Sequence, residues 1–329
     1  MPPFNVRPFD ASDADYAVTA AVWNAAWPDY PETAGELRHS DENRDPKVKW
    51  ARFIARTETG TGVGIGMYNQ SSGMYHPNKF GVDITVAPES QGQGIGAALY
   101  ERILDALAMH APIALLSDIR EDGERARRFV ETRGFVPGMR EQESRLDLST
   151  FDPDRFAEEI ARADAQNIVL KTARELRDSD PGFYEKSDDL FWTIAQDIPH
   201  PEPPTRPPQE VWRKRFEDPN FLWDGNIVAL SGDEYIGVSV LWTSQGGADL
   251  YTGTTGVLRE YRKRGIASAL KVRALSYAKT RGAAAVRTWN EENNAGMLGI
   301  NYRLGFVKQP AWICYTKTLA TTEGAGAAE

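Results

Sequence analysis

The chain has 329 residues, with 47 acidic and 38 basic side chains, and its formal net charge at pH 7 is −9. This acidic balance argues against nucleic acid as a partner, because phosphate contacts need a basic surface. A single cysteine excludes an internal disulfide, and the four scattered histidines lack the spacing of a helical zinc pair, so no metal site is predicted. Neither an apolar leader nor a run of ~18 apolar residues occurs, which predicts a cytoplasmic protein that does not span a membrane.

The first half of the chain predicts a mixed α/β unit. FNVRPF, WARFIART and GVGIGMYNQ are predicted strands, and the last two form a hairpin. A further strand, Phe80 to Val86, leads into a polar turn, Gln91 to Gly96, and then into a helix with apolar residues at helical spacing. Within that strand Asp83 lies on the face opposite Val82, so it is either a site carboxylate or a solvent-facing residue.

The middle of the chain closes this unit. PIALLSDI is a predicted strand, and the helix that follows ends at RGF (133–135). The domain boundary is predicted between Leu148 and Asn167, where STFDPDR indicates a turn and FAEEIARADAQ a linking helix. The predicted divisions are a first domain (1–150), a linker (151–166), a second domain (167–320) and a disordered tail (321–329).

The second half repeats this layout, which indicates two tandem copies of one unit. The repeated elements are NIVLKTA, a hairpin at 226–245, a strand at 250–257, a turn at 262–267, AAAVRTWN and a helix ending at LGF (304–306). Gly94 and Gly265 occupy corresponding places in the two turns, 265 − 94 = 171 residues apart. The proline-rich segment at 197–209 is irregular, and is either a lid or binding wall or a plain connector.

The two turns favour a phosphate-bearing ligand. A helix N-terminus presents backbone N–H groups without intrahelical partners, at the positive end of the helix dipole. Gly94 and Gly265 let the backbone approach a ligand closely, and the residues from Arg262 to Arg264 add positive charge. A glycine turn with solvated charges explains a single copy equally well, but two copies in the same context favour a diphosphate site. Neither copy has the spacing of a Rossmann turn or of a Walker loop.

Both turns carry the pattern [Gln/Arg]-x-x-Gly-x-[Gly/Ala] between a strand and a helix, and this pattern resembles the acyl-CoA turn of the GNAT superfamily of N-acyltransferases. The segment NEENNAGMLGINYRLGF is similar to that superfamily's later helix, usually Asn-x-x-Ala-x-x-x-Tyr before Gly-Phe. The resemblance covers nearly the whole chain as two tandem GNAT-like acyl-CoA-binding domains, an arrangement similar to that of mycothiol synthase. It implies an α/β fold (α+β, with a mixed sheet) whose sheet parts between its fourth and fifth strands.

The resemblance also implies where acetyl-CoA or another acyl-CoA binds. The pantetheine arm pairs with the edge of the fourth strand, and the turn amides hold the diphosphate. The implied positions are Val257, Leu258, Arg262, Lys263, Arg264, Gly265, Ile266, Ala267, Asn290 and Asn294 in the second copy, and Val86, Gln91, Gly92, Gln93, Gly94, Ile95 and Gly96 in the first. For Asn294 the alternative is a helix cap.

The later helix favours the second copy for catalysis. Asn294 and Asn301 stand where the family motif has Asn and Tyr, whereas the first copy has Gly123 and Val130. The first copy is therefore predicted to be degenerate or structural. The candidate catalytic residues are Asn301 and Tyr251 as donors to the leaving thiolate, and Asp249 and Glu234 as bases.

The favoured function is transfer of an acyl group, most simply acetyl, from acyl-CoA to a primary amine of a small molecule by direct attack. The alternative is a non-catalytic tandem CoA-binding sensor, since neither copy keeps the motif's tyrosine. Trp242 and Trp289 are candidate walls of an acceptor pocket, and core packing is their alternative role. The acceptor, the acyl chain length and the oligomeric state do not follow from the sequence.

Overall fold

A computed structural model describes residues 4–319, and the predicted disordered tail at 321–329 lies outside them. This part of the chain forms thirteen strands and ten α-helices. The strands are β1 Phe4–Pro8, β2 Trp50–Thr57, β3 Gly62–Asn69, β4 Lys79–Val86, β5 Ala114–Arg120, β6 Val136–Asp147, β7 Ile168–Thr172, β8 Ile227–Ser231, β9 Glu234–Trp242, β10 Leu250–Val257, β11 Ala285–Glu291, β12 Val307–Lys308 and β13 Trp312–Thr318. The helices are α1 Asp13–Ala26, α2 Ala34–Glu42, α3 Ile95–Leu107, α4 Glu124–Glu131, α5 Ala157–Asp164, α6 Ala173–Ser179, α7 Phe183–Ala195, α8 Gln209–Lys214, α9 Ile266–Thr280 and α10 Ala295–Arg303.

The described chain divides into two compact units. The first unit contains residues 4–139, 201–207 and 312–319, and the second contains residues 140–200 and 208–311. Neither unit is one continuous stretch, because β13 belongs to the first unit and most of β6 belongs to the second. The linear division into 1–150 and 167–320 remains a prediction about domains, and the two units differ from it by these strands.

The sheet of the first unit has the strand order β1-β2-β3-β4-β5-β13. Of these neighbours, β4 and β5 run parallel and the other pairs are antiparallel. β4 and β5 pair from Lys79 opposite Ala114 to Gly81 opposite Leu116, and both strands then continue without pairing to each other. A gap therefore opens between the fourth and fifth strands of this unit.

Helices cover both faces of this sheet. The α3 residues Ile95, Leu99, Ile103 and Leu107 recur at helical spacing, and each is at most 2% exposed. They pack on one face of the sheet, against a cluster that includes Phe53, Val63, Phe80, Val82 and Leu115. Helix α1 packs on the other face through Val22, which contacts Ile54 and Ile65. Helix α3 therefore covers one face of the sheet beside the strand gap, and helix α1 covers the other face.

The second unit repeats this plan. Its strand order is β6-β11-β10-β9-β8-β7, with β12 paired to β6. The parallel neighbours β10 and β11 pair only at Leu250 opposite Val286 and at Tyr251 opposite Arg287. Helix α9 buries Leu270 against the sheet, as α3 buries Leu99 in the first unit. Each copy of the sequence repeat therefore forms a sheet that parts between two parallel strands.

The proline-rich segment forms neither helix nor strand between residues 201 and 208. Residues 201–207 belong to the first unit, where they contact the connection between β3 and β4. Glu202 forms an ion pair with Lys79, and Thr205 Oγ1 accepts a hydrogen bond from Tyr75 N over 2.8 Å. The segment is thus anchored at the end of β4 that lies farthest from the turn to α3.

Candidate active site

The turn between β4 and α3 presents a row of unpaired amides. Gly92 and Gly94 have φ values of 82° and 85°, in the left-handed region that glycine adopts without steric cost. From Gly92 to Ala97, no backbone N–H donates to an acceptor among residues 4–319. A Cβ at Gly94 would meet no protein atom within 4 Å. Gln91 fixes the start of the turn, since its Nε2 donates to Val86 O over 3.3 Å.

These amides lie beside a cleft of about 870 Å³ in the first unit. Among the first-copy positions predicted for acyl-CoA, those that line it are Val86, Gln91, Gly92, Gly94, Ile95 and Gly96. The remaining position, Gln93, donates from its side chain to Glu89 O over 3.5 Å. Ala26 and Trp27, at the end of α1, also line the cleft, so the cleft extends through the strand gap towards the α1 face.

Three arginines of the first unit, Arg125, Arg128 and Arg133, line this cleft and add positive charge, and sequence reasoning missed all three. Arg125 Nη1 lies 3.1 Å from the place of a Cβ at Gly92, beside the unpaired amides. The Arg133 guanidinium stacks 3.6 Å from the ring centroid of Phe129, and its Nη1 donates to Phe129 O over 3.0 Å. The run ERARRFVETR was the available signal, because a basic helix follows the fifth strand.

Two carboxylates meet where β4 and β5 part. Asp83 and Asp118 each lie two residues beyond the last pair of these strands, Gly81 opposite Leu116, on the face away from α3. The Asp83 side chain is accessible to solvent, but protein atoms surround it. This enclosure, and secondly the negative charge of Asp118, raise the pKa of Asp83 to about 6. Asp118 is likewise exposed, and the protein atoms around it raise its pKa, while a hydrogen bond from Cys314 opposes this shift.

The carboxylate pair shares its face of the sheet with aromatic residues. Cys314 is opposite Asp118, and Trp312 precedes it by two residues, so both β13 side chains point to that face. The Trp312 ring lies 5.2 Å from that of Trp27 and 6.0 Å from that of Tyr30. An aromatic wall therefore stands beside the carboxylates, where an organic cation would find negative charge and ring faces next to the Arg120 guanidinium, which lies 5.7 Å from the Trp27 ring centroid.

The turn of the second unit has the same backbone. Gly265 has φ 84°, and Lys263 takes the left-handed φ of 60° that Gly92 takes in the first unit. From Lys263 to Ser268, no backbone N–H donates to an acceptor in the described chain. The N–H of Leu258, by contrast, donates to Ile236 O over 2.9 Å. Both copies therefore present the amides of an anion site, and the amide of Leu258 is already paired.

The side chains around the second turn are engaged with neighbours. Arg262 Nε donates to Val257 O over 2.9 Å, and the Arg262 guanidinium also contacts Asp197. Arg259 binds the same carboxylate, and these arginines lower the pKa of Asp197, Arg259 contributing most. The positive charge predicted at Arg262 is thus partly neutralised by an acid that the sequence alone did not place there.

Helix α5, predicted as a linker, contacts this turn. Arg264 Nε donates to Gln166 Oε1 over 2.9 Å. A Cβ at Gly265 would lie 3.3 Å from Cδ of Arg162, so the arginine covers the glycine. The predicted positions Ile266 and Ala267 begin α9 behind this cover.

The strand gap of the second unit has no carboxylate pair at the corresponding positions. Two residues beyond the last β10–β11 pair stand Gly253 and Trp289. Tyr251 stacks on Trp289, with ring centroids 6.1 Å apart, and its hydroxyl is buried. Asp249 accepts from Arg145 over 3.2 Å and from Arg287 over 3.0 Å. Both contacts occupy the Asp249 carboxylate, which is therefore not free to accept a proton from an acceptor amine, and this disfavours its predicted role as a base.

Glu234, the other predicted base, is remote from this gap. It begins β9, whereas Trp242, at the far end of the same strand, is opposite Tyr251. Eight residues of strand span roughly 26 Å, so Glu234 does not reach a group held at the gap. Its carboxylate accepts from the Tyr261 hydroxyl over 2.8 Å.

The asparagines of the later helix have structural partners. Asn294 Oδ1 caps α10 by accepting from Met297 N over 3.2 Å, which is the alternative that the sequence left open. Asn301 is fully buried and donates to Asn290 Oδ1 over 2.7 Å. Asn301 Oδ1 has no hydrogen-bond partner in the described chain. A ligand role for these asparagines remains a prediction.

The second unit buries an amine where the first has a phenol. Lys271 lies six residues after Gly265, as Tyr100 lies six residues after Gly94. The Lys271 side chain is 2% exposed, and its Nζ lies 5.3 Å from the ring centroid of Phe306. Burial lowers the pKa of Lys271 to about 7.

The described residues form neither a candidate metal site nor a membrane-spanning helix. No group of three or more histidine, cysteine, aspartate or glutamate side chains could hold a metal ion within the described part of the chain. None of the helices formed by residues 4–319 is both long enough and apolar enough to span a bilayer.

Comparison with known proteins agrees with the duplicated fold. The model of the acetyltransferase (GNAT) family matches residues 19–135 and 188–306. The tandem GNAT protein from the clavulanic acid biosynthesis pathway is 19% identical over 96% of this chain and 98% of its own, with a TM-score of 0.74. A GCN5-related N-acetyltransferase from Sphaerobacter thermophilus is 17% identical over 97% of this chain and 96% of its own, with a TM-score of 0.67. At these identities the structures show a shared fold, and no curated protein sequence matches the chain.

Proposed function

The chain belongs to the acetyltransferase (GNAT) family, and from this premise we propose that its first unit transfers the acetyl group of acetyl-CoA to a primary amine of a small molecule. The observation that carries the assignment is the pair Asp83 and Asp118 at the strand gap of that unit. The second unit has Gly253 and Trp289 at those positions. The proposal thus places catalysis in the first unit, whereas the sequence favoured the second copy.

The residues of the first unit fit acetyl-CoA, the cofactor of the family. Six consecutive amides from Gly92 to Ala97 lack protein acceptors among the described residues, and Arg125 lies beside them. Such a concentration of donors and positive charge suits the two phosphoryl groups. The cleft of about 870 Å³ continues from these amides to the strand gap, which is room for the pantetheine arm.

Asp83 is suited to remove a proton from the acceptor. An alkyl amine with a pKa near ~10.4 is mostly protonated at neutral pH, and its ammonium form is not a nucleophile. When bound, acetyl-CoA supplies a thioester carbonyl for attack by the neutral amine, with the thiolate as leaving group. Because the pKa of Asp83 is about 6, this carboxylate is ionised at neutral pH but more basic than an ordinary aspartate.

The surroundings of Asp83 favour a cationic acceptor with an apolar or aromatic body. Asp83 and Asp118 attract the ammonium group, and Trp27, Tyr30 and Trp312 offer ring faces on the same side of the sheet. The thioester would lie in the cleft beside α3, and the amine would approach the gap from the α1 face, where the carboxylates and the aromatic rings lie.

The second unit is a candidate for the alternative function, a CoA-binding module without catalysis. Its turn presents the same row of amides, from Lys263 to Ser268. The acids near its turn and its strand gap bind arginines: Asp197 binds Arg262, and Asp249 binds Arg287. A second equivalent of acetyl-CoA that binds without affecting turnover is the expected sign of this role.

Replacement of Asp83 by asparagine tests the function. Release of free thiol from acetyl-CoA would be followed with a panel of primary amines, including arylalkyl amines, for the wild type and for Asp83→Asn. We expect kcat to fall by about 10²-fold or more, while the affinity for acetyl-CoA stays within about twofold, because general-base catalysis contributes effects of that size. The matched control is Asp249→Asn, which removes the acid at the second unit's gap and should leave kcat unchanged.

Two results would reject the proposal. If Asp83→Asn keeps full kcat on an amine that the wild type acetylates, Asp83 is not the base. If the wild type binds acetyl-CoA but releases thiol with no amine of the panel, the non-catalytic module is the better description of the whole chain.

A further inference from the structure

The second unit contains a guanidinium without a counter-charge. Arg215 follows α8, and its guanidinium carbon lies 4.1 Å from the ring centroid of Trp212, 4.5 Å from that of Phe191 and 5.4 Å from that of Trp242. No residue of the described chain accepts a hydrogen bond from the Arg215 guanidinium or forms an ion pair with it. Three aromatic rings therefore frame a cation whose five N–H donors have no protein acceptor.

Enclosure of this cation has an energetic cost that no nearby acid offsets. The surrounding protein lowers the pKa of Arg215 to about 10, with desolvation as the sole cause. The group is still protonated at neutral pH, so a full positive charge stands in an aromatic recess. Ring faces attract a cation, but they do not satisfy its in-plane N–H donors. An acceptor group on a bound molecule would satisfy these donors.

A second donor in the recess also lacks a partner. Trp212 is 9% exposed, and its indole Nε1–H is buried without an acceptor among the described residues. Buried donors of this kind are rare in folded proteins and usually meet a protein group, a water or a ligand. Trp212 and Arg215 thus both present unsatisfied donors, and they are in contact with each other.

The recess is open to solution. Arg215, Phe191 and Trp242 are each only partly buried, so a small molecule has access to the guanidinium and to two ring faces. Trp242 also borders the second unit's strand gap, since its Nε1 lies 2.9 Å from the place of a Cβ at Gly253, an exposed residue. An occupant of the recess would therefore lie beside this gap.

We propose that Arg215, Trp212, Phe191 and Trp242 form a binding site for a small organic carboxylate with an aromatic or apolar body. A carboxylate accepts two parallel hydrogen bonds from one guanidinium, which satisfies donors of Arg215 that have no acceptor in the described chain. The recess offers one positive charge, which matches a monoanion, whereas phosphate sites usually combine several cations or a row of amides. The rings supply the apolar walls. This site lies outside the proposed acetyl-transfer site and does not depend on it.

Benzoate is a suitable probe, and benzamide is its neutral counterpart of similar shape. The full chain would be titrated with each by calorimetry and by tryptophan fluorescence, with inorganic phosphate as a third ligand. We expect saturable binding of benzoate, at least about tenfold weaker binding of benzamide, and weaker binding of phosphate than of benzoate. Arg215→Met should weaken benzoate binding at least about tenfold, because it removes the charge and the paired donors but keeps an apolar side chain.

Arg213→Met is the matched control, because Arg213 lies two residues away, is exposed and pairs with Glu185. It should keep benzoate affinity within about twofold, and Asp83→Asn should do the same, which separates this site from the acetyl-transfer site. The proposal fails if the folded wild type shows no saturable benzoate binding, if benzamide binds as tightly, or if Arg215→Met binds benzoate unchanged. Tighter binding of phosphate than of benzoate would overturn the assignment to carboxylates.

Discussion

The strand gaps of the two units have one backbone plan and opposite side-chain chemistry. In the first unit the residues two positions past the last pair are Asp83 and Asp118, and in the second they are Gly253 and Trp289. The first gap is therefore acidic. The second gap is aromatic, and two arginines lie close to it. Arg287 is on β11, and Arg215 packs against Trp242.

This difference shows that the duplicated turn and the reactive groups have diverged separately. Both turns keep two left-handed residues before a helix and a row of unpaired amides, because that backbone serves any diphosphate. The groups at the gap decide what happens to a ligand held there. A backbone motif in two copies therefore indicates two binding sites, but not two active sites.

The largest effect on turnover should come from a substitution that blocks the amides of one turn, made in one unit at a time. Gly94→Val places a β-branched side chain in the open space next to the amides and at a φ that disfavours it. Turnover and acetyl-CoA affinity in the first unit should fall by about 10²-fold or more, since several charge-assisted hydrogen bonds are lost. Gly265→Val imposes the same backbone strain in the second unit and should leave turnover within about twofold.

Calorimetric titration of acetyl-CoA and a thiol-release assay measure both variants, and circular dichroism confirms that they fold. If Gly265→Val abolishes turnover while Gly94→Val does not, catalysis lies in the second unit, as its Asn294 and Asn301 suggested from sequence. Loss of turnover in both variants would mean that the two units depend on each other.

The helices that follow the two turns also differ, since α9 has Lys271 where α3 has Tyr100. In the unfolded chain a lysine has a pKa of ~10.4, whereas burial lowers the pKa of Lys271 in the folded chain to about 7. Between these values the unfolded state binds more protons, so stability should rise with pH. Lys271→Met should raise the free energy of unfolding at pH 7 by on the order of 3 kcal/mol and remove most of that pH dependence.

Urea unfolding at pH 7 and pH 9 measures this effect. Lys308→Met, at an exposed position of the same unit, should change stability by no more than about 0.5 kcal/mol. Equal behaviour of the two variants would show that Lys271 is charged and solvated in the folded protein.

The sequence predicted the parts of the fold that depend on local pattern. The tandem GNAT fold is confirmed, and the apolar spacing of Ile95, Leu99, Ile103 and Leu107 places a buried face on α3 as predicted. Glycine spacing located both turns, because a left-handed backbone at a helix start has a short and recognisable signature.

The side chains at the gap depend on contacts that no local pattern encodes. The sequence leaves the role of Asp83 open, because its pKa is raised first by the protein atoms around it and then by the charge of Asp118, which lies 118 − 83 = 35 residues away on another strand. Asp249 had the right residue type near a strand end, but Arg145 and Arg287 bind it from two other strands. The long-range partner of an acid determines whether it is a base or half of an ion pair.

The smallest expected effect tests the coupling within the carboxylate pair. The negative charge of Asp118 helps to raise the pKa of Asp83 to about 6, so Asp118→Asn should lower the pKa of Asp83. Because Asp83 is active when ionised, the rise of kcat/KM with pH should then occur at lower pH, while rates at pH 8 change little. Asp122→Asn is the control, since the Asp122 carboxylate is bound to Arg120 Nε over 2.7 Å, and it should leave the pH profile in place. A profile of Asp118→Asn that is unshifted, or shifted to higher pH, would show that the two carboxylates do not act as a pair, and the contrast between the two gaps would then rest on Asp83 alone.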